Sequence, residues 1–447
     1  MEWSRLISEE RLGDKTPAPG ISRSIFVQDH DRIIFSAPFR RLANKTQVQP
    51  LYEHDHVHHR LIHSIEVSSV GRSLAMRIGH WLVEQQLIRP GDEHSLANIV
   101  QAASVAHDIG NPPFGHSGED AMGAWFAELF AAGRGLAGDV EADLQSEFTA
   151  FEGNAQGFRI LARLEMRRND GGMRLSKATL GAFMKYPVTA RTRAAVKAAS
   201  EVSYVGLKKF GVFSSEFSLF EDVATSLGLP QENIGAEKWW RRHPLVFVVE
   251  AADDICYNIV DIEDAFTTGE LSYKEVVEIL VAAAKPRDAS AGDRSQAEHV
   301  AMLRAMAIGK AIDSCVAAFQ THHEAILAGT FSGALTEVCQ MAPIFEGMRK
   351  LSSDHIFTAR RKTELEISGR RIINNVMSGI LPVFEDLAAV DWNADRLGSR
   401  SQQLVRALDL DLRNLSSPAE ALHSLADYTS GMTDRYALRI SKMLSGH

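Results

Sequence analysis

The chain has 447 residues, 45% hydrophobic and 23% charged, enough apolar material for a large core, which excludes an intrinsically disordered protein. Its formal net charge of −9 argues against a broad nucleic-acid or anionic-membrane surface but leaves room for a local basic pocket around a phosphorylated small molecule. Three widely separated cysteines, Cys256, Cys315 and Cys339, exclude a disulfide framework and a zinc finger and fit a reducing compartment.

The chain opens on MEWSRLISEERLGDK, charged throughout with no apolar leader, and no apolar run approaches a membrane span. A cytoplasmic protein with no membrane partner is expected. PFRRLANKTQVQ then offers Arg40, Arg41 and Lys45, and EHDHVHH (53–59) reads as a polar loop. LIHSIEVSSVGRSLAMRIGHWLVEQQL predicts a long helix, and SLANIVQAASVAHDI a second with Ser95 as N-cap. GNPPFGH breaks the second helix sharply, and a new helix is expected from near Gly118.

AAGRGLAGD (131–139) predicts a loop, NAQGFRILARLEMRR a helix, and RRNDGGM (167–173) a loop or short hairpin. HPLVFVVEAADDICYNIVDIEDAF predicts a helix with Pro244 in its first turn, where proline is tolerated. SYKEVVEILVAAA, AEHVAMLRAMAIGKAIDSCVAAF and GMTDRYALRISKML predict further helices, and residues 282–296 read as a linker. Clean alternating strands are scarce, so the fold class is all-α, and there is no Walker or GxGxxG loop.

Four side chains have the chemistry of a divalent-metal site: His63, His107, Asp108 and Asp253. Two imidazoles and two carboxylates leave coordination positions open for a water and a substrate oxygen, as a hydrolase requires. Asp253, Tyr257 and Asp261 are spaced i, i+4, i+8 and share a helix face. A charged stripe on an apolar helix either faces water or is paired or metal-bound, and both readings stay open at this point. His116 returns after the Pro-Gly turn with Glu119 three residues on, a pair suited to proton transfer; a capping histidine is the alternative. Arg60 and Lys185-Tyr186 add groups able to meet phosphate.

FRRLANKTQV, RLIHSIEVSSVGRSLA, AHDIGNPPFGHSGE, FEGNAQGFRIL, TLGAFMKYP, RHPLVFVVEAADDICYNIVDIEDA and SGMTDRYAL together resemble segments of the bacterial deoxyguanosinetriphosphate triphosphohydrolase-like family of HD-domain metallophosphohydrolases. The resemblance runs in order from about residue 30 to residue 440. It implies an HD-domain helical core with additional helices: an N-terminal segment (1–60) contributing to the nucleotide pocket, a catalytic core (61–270) and a C-terminal helical region (271–447). It implies one divalent metal ion, Mn²⁺ or Mg²⁺ before other transition metals, on His63, His107, Asp108 and Asp253, with His116 and Glu119 as the catalytic pair. It places Arg60, Asn111, Lys185 and Tyr257 at the triphosphate, and Gln47, Val48, Tyr186 and Asp261 near sugar and base.

The implied reaction converts a dNTP into deoxynucleoside and tripolyphosphate. A homo-oligomer, often a hexamer in this family, is implied, with nucleic acid only as a secondary effector. Asn111 and Gly153 stand where relatives often carry histidine. The alternatives are another HD phosphohydrolase, such as a nucleotidase or phosphodiesterase, and a nucleotide- or single-strand-binding sensor that keeps the fold.

Overall fold

Small residues on one long helix set the architecture. In the computed structural model, which describes residues 1–13, 23–47, 59–199, 203–355 and 360–446, helix Arg60–Glu84 buries Val67, Val70, Leu74, Ile78 and Leu82 at i, i+3/i+4 spacing. Beside that stripe runs a second one of Ser64, Ser68, Gly71, Ala75 and Gly79, also buried. A β-carbon on Gly71 would lie 2.6 Å from Ser104 Oγ and 3.4 Å from Ala252 Cβ. Three helices therefore meet at Gly71 more closely than any larger residue permits: Arg60–Glu84, Asp92–Ala106 and Pro244–Thr268. That approach brings His63, His107 and Asp253 together.

The fold is all-α. Among the described residues the one sheet is the hairpin of Gln231–Ile234 and Glu237–Trp240, antiparallel with Gln231 opposite Trp240. Sequence reasoning missed it because each strand is four residues long and its apolar positions are few. Residues 167–173, expected as a loop or short hairpin, form turns without a hairpin. The helix expected over 154–168 is shorter: Gly153–Arg159 is α-helical, Ile160–Leu164 widens to a π turn, and the chain then turns away.

Ser95 is not an N-cap. The N-cap is Gly91, four residues earlier, because Gly91 takes a left-handed φ of 101° and the Asp92 and Glu93 carboxylates accept from Arg89 and Gly91 N–H. The helix expected from near Gly118 begins at His116. Most of segment 282–296 connects two helices, Tyr273–Ala284 and Gln296–Ala328, that pack on each other. Ser295 and Glu298 form a capping box at the start of the second.

The C-terminal helix Arg360–Ala389 packs on His116–Ala132 and carries Pro418–Ser430 and Asp434–Ser445 on its other contacts. No helix among the described residues is long and apolar enough to cross a membrane.

Candidate metal centre and its cavity

Helix Asp92–Ala106 ends at Ala106, and the next four residues turn through hydrogen bonds from Ile109 N–H to Ala106 C=O and from Asn111 N–H to Asp108 C=O. The turn points His107 and Asp108 at the same space. His63, in the first turn of its helix, and Asp253, on Pro244–Thr268, face them.

His63 Nε2 lies 3.0 Å from Asp253 Oδ1. His107 Nε2 lies 3.5 Å from the same oxygen and 3.6 Å from Asp108 Oδ1. Ligand atoms of His63, His107 and Asp108 all fall within 4.8 Å of one another.

The tautomer of His107 follows from its neighbour. Its Nδ1 is 2.7 Å from Ser104 C=O, which only accepts, so Nδ1 carries a proton and Nε2 is the nitrogen turned to the cluster. That Nε2 is buried and finds no hydrogen-bond partner among the described residues. A buried imidazole nitrogen without a hydrogen-bond partner, facing two carboxylates, offers the atom types that a divalent cation takes, so these residues fit the metal that an HD domain implies.

Asp108 accepts from Arg60 Nη1 at 2.6 Å through one oxygen and from the Asn111 amide through the other. Burial alone would raise its carboxyl, but Arg60, His107 and His63 outweigh that and hold it down at about 2. Asp253 is likewise kept low, against burial, by His107 and His63. For His63 the Asp253 bond outweighs burial and raises the imidazole.

Asp254, the neighbour of Asp253, turns elsewhere and accepts from Thr336 Oγ1 at 2.5 Å. Burial, with Glu250 and Asp253 nearby, pushes its carboxyl up to about 7.

A cavity of about 350 Å³ opens over the cluster, large enough for a bound small molecule. Arg60, His107, Asp108, Asn111, His116, Lys185, Tyr186, Asp253, Tyr257 and Gln47 all line it. His63 and Glu119 sit behind that wall, buried. Asp261 is buried one turn beyond Tyr257, near enough to act on His63 and Tyr257 through charge, but it is not part of the wall. Val48 lies outside the described residues. Arg40 and Arg41 do not line the cavity, and Lys45 is buried with its ammonium on Asn111 C=O and Ser430 C=O.

His116 stands at the cavity mouth, its side chain 80% exposed, while Glu119 behind it is 7% exposed and meets His116 Nδ1 at 2.7 Å. The other Glu119 oxygen accepts from Gly153 N–H at 2.8 Å. The Glu119 hydrogen bond raises the His116 imidazole against partial desolvation, so the ring stays protonated to higher pH. A β-carbon on Gly153 would come within 2.4 Å of Asn111 Oδ1 and 2.6 Å of Glu119 Oε1. The two departures from the family pattern, Asn111 and Gly153, therefore touch each other, and glycine is what this arrangement admits.

Sequence reasoning missed Glu250, Lys209, Asn154 and Glu366, which also line the cavity. Glu250 holds Lys185 Nζ at 3.2 Å and Arg242 at 3.0 Å. Lys209 bridges Glu152 at 2.7 Å and Glu119 at 3.7 Å. Glu250 had a signal, since it precedes Asp253 by three and Tyr257 by seven on one face. Lys209 and Glu366 reach the cavity from distant segments and had none.

Residues 60–166 match the HD domain family. The whole chain aligns with a deoxyguanosinetriphosphate triphosphohydrolase-like protein of Pseudomonas aeruginosa at 39% identity, covering 100% of this chain and 99% of the relative. A protein of the same description from Synechocystis sp. is 35% identical over 100% of this chain and 99% of its own. A deoxyguanosinetriphosphate triphosphohydrolase of Yersinia enterocolitica is 28% identical over 92% of each chain.

Proposed function

This chain belongs to the deoxyguanosinetriphosphate triphosphohydrolase-like family of HD-domain phosphohydrolases, and we propose that it is a metal-dependent dNTP triphosphohydrolase. The observation that carries the reading is the orphaned His107 Nε2 among His63, Asp108 and Asp253, at the floor of a cavity lined by cations. Manganese or magnesium, held by those four side chains, would supply Lewis acidity to a phosphoryl oxygen and to the attacking water.

Arg60 and Asn111 orient Asp108 through its two oxygens, and Arg60 keeps it ionised. Lys185 and Lys209, both in the cavity wall, neutralise phosphate charge, and Tyr257 lines it beside Asp253. Gln47, Tyr186, Val48 and Asp261 are assigned to the sugar and base side.

Water adds to the α-phosphorus, and the bond from phosphorus to the 5′ oxygen breaks. His116, kept protonated by Glu119, donates its proton to that leaving oxygen and recovers one from water afterwards. The products are deoxynucleoside and tripolyphosphate. A cytoplasmic location and a homo-oligomer go with this reading.

The test is product analysis. The purified protein is incubated with each of the four dNTPs and with GTP, in Mn²⁺ or Mg²⁺, and the products are separated by chromatography. Deoxynucleoside with tripolyphosphate is expected. Orthophosphate as the phosphorus product would replace the reading with a nucleotidase.

A further inference from the structure

The turn that presents His116 is strained, and its supports come from far away in the chain. Phe114 has a φ of 65°, a left-handed conformation that a bulky residue holds only when its surroundings enforce it. Its N–H donates to Asp434 Oδ1 at 3.0 Å. The other oxygen of Asp434 accepts from Thr46 N–H at 3.1 Å and from Thr46 Oγ1 at 2.6 Å. Asp434 is 1% exposed.

Its carboxylate is not spent on its own helix. Asp434–Ser445 is capped by Thr433, whose hydroxyl accepts from Tyr436 N–H. At the first position of that helix the carboxylate is favoured by the helix dipole. Lys45 adds a second tie, from Asn111 C=O at 2.6 Å to Ser430 C=O at 2.7 Å. The Phe114 ring packs so closely on Gly369 that a β-carbon there would be 2.9 Å from Cγ.

We infer that Asp434 is the positioning residue for His116, locking the 111–116 turn to residues 45–46, so that the C-terminal region completes the proton-transfer side of the site. The inference rests on the role given to His116 above. It separates two halves of the centre. The metal ligands sit on, or directly after, three helices that pack on one another, whereas the turn to His116 depends on Asp434. Without that carboxylate, the Phe114 and Thr46 N–H groups lose their acceptor, and Phe114 can relax to a common φ. Asparagine keeps one acceptor oxygen for Phe114 N–H but turns an NH₂ toward the Thr46 N–H, so it restores only part of the lock.

The experiment compares the full-length protein with D434A and D434N. The readouts are Mn²⁺ binding by calorimetry, thermal unfolding, kcat and KM on the dNTP that the wild type turns over, and amide exchange of a peptide covering 109–117. In D434A, kcat is expected to fall about 100-fold, the loss that a displacement of about 1 Å can cause. KM and Mn²⁺ affinity should stay within about threefold, and D434N should recover roughly a tenth of wild-type kcat. Exchange in 109–117 should speed up in both variants.

A kcat within about threefold of wild type would overturn the inference. So would Mn²⁺ affinity falling in step with kcat, which marks a general structural role, or unchanged exchange in 109–117. If D434A does not fold, T46A removes only the hydroxyl donor and is judged by the same exchange and kcat readouts. If the wild type turns over no dNTP, the proposed function fails, and the exchange and Mn²⁺ readouts alone decide whether Asp434 locks the turn.

Discussion

Two of the buried ionic clusters among the described residues are built on opposite principles. Arg159 donates to both oxygens of Asp427, to Glu216 at 2.7 Å and to Ser215, while Gln156 supports Asp427 and Arg163 adds to Glu216. In this cluster every charged group is paired, with Gln156 Oε1 alone finding no partner among the described residues, and it ties helix Gly153–Arg159 to the segment before Phe217–Leu227 and to Pro418–Ser430. The cluster of His63, His107, Asp108 and Asp253 does not close: His107 Nε2 is buried with no hydrogen-bond partner among the described residues, while Arg60 meets Asp108 and His63 meets Asp253. Buried charge is normally compensated. A cluster whose charges pair off has the form of a brace, and one that leaves a ring nitrogen unpartnered beside a cavity has the form of a site.

Two histidines repeat the contrast. His243 uses both nitrogens, Nδ1 accepting from Leu245 N–H at 3.0 Å and Nε2 donating to Leu6 C=O at 3.1 Å. His107 uses one nitrogen and withholds the other. The first is an N-cap, and the second has the form of a ligand.

The largest effect that would break this contrast is at the open cluster. His107→Ala or Asp108→Ala should abolish Mn²⁺ binding, read by calorimetry, and hydrolysis with it; full activity in either variant would remove the metal assignment. Next comes the proton-transfer side. His116→Ala should slow turnover about 10²- to 10⁴-fold while Mn²⁺ still binds. Loss of the metal in that variant would make His116 a ligand instead.

The closed cluster should respond in stability. Arg159→Ala leaves Asp427 and Glu216 buried without it and should cost about 3–5 kcal/mol in denaturant unfolding, with Mn²⁺ affinity unchanged where the variant is folded. An Arg159→Ala protein as stable as the wild type would show that the brace bears no strain of this kind.

The smallest effect is the pH response of His243. Burial pushes the His243 imidazole down to about 4, below its usual value near 6.5 in the unfolded chain. The unfolded state then takes up a proton that the folded state refuses. Stability from this residue is full above about pH 6.5 and is lost as pH falls toward about 4, by about 3 kcal/mol in all. Denaturant midpoints measured across that range should fall more steeply for wild type than for His243→Gln. Equal slopes would show that His243 does not titrate this way.

Much of the molecule was legible before its structure. The long helices are read from apolar residues at i, i+3/i+4 spacing, and His107-Asp108 stands visibly at a helix end followed by a Pro-Gly turn. The alignment of Asp253 and Tyr257 on one face follows from helical pitch alone. Local ambiguity defeated the rest of the local reading. Ser95 has the chemistry of a cap, but Gly91, Asp92 and Glu93 serve the same end one turn earlier. The hairpin at 231–240 is too short to show a period.

What the sequence by itself determined is therefore which residues share a helix face or a turn, because periodicity and capping are properties of neighbours along the chain. Which faces meet was decided only by tertiary packing. The close approach at Gly71, the choice of Asp253 over Asp254 against His63, the retreat of Asp261 from the cavity wall, and the carboxylate of Asp434 reaching back to Phe114 all depend on distances between segments up to hundreds of residues apart. The spacing of residues along the chain does not encode those distances. They follow from how far small side chains let helices approach, and from which buried polar groups must then find partners.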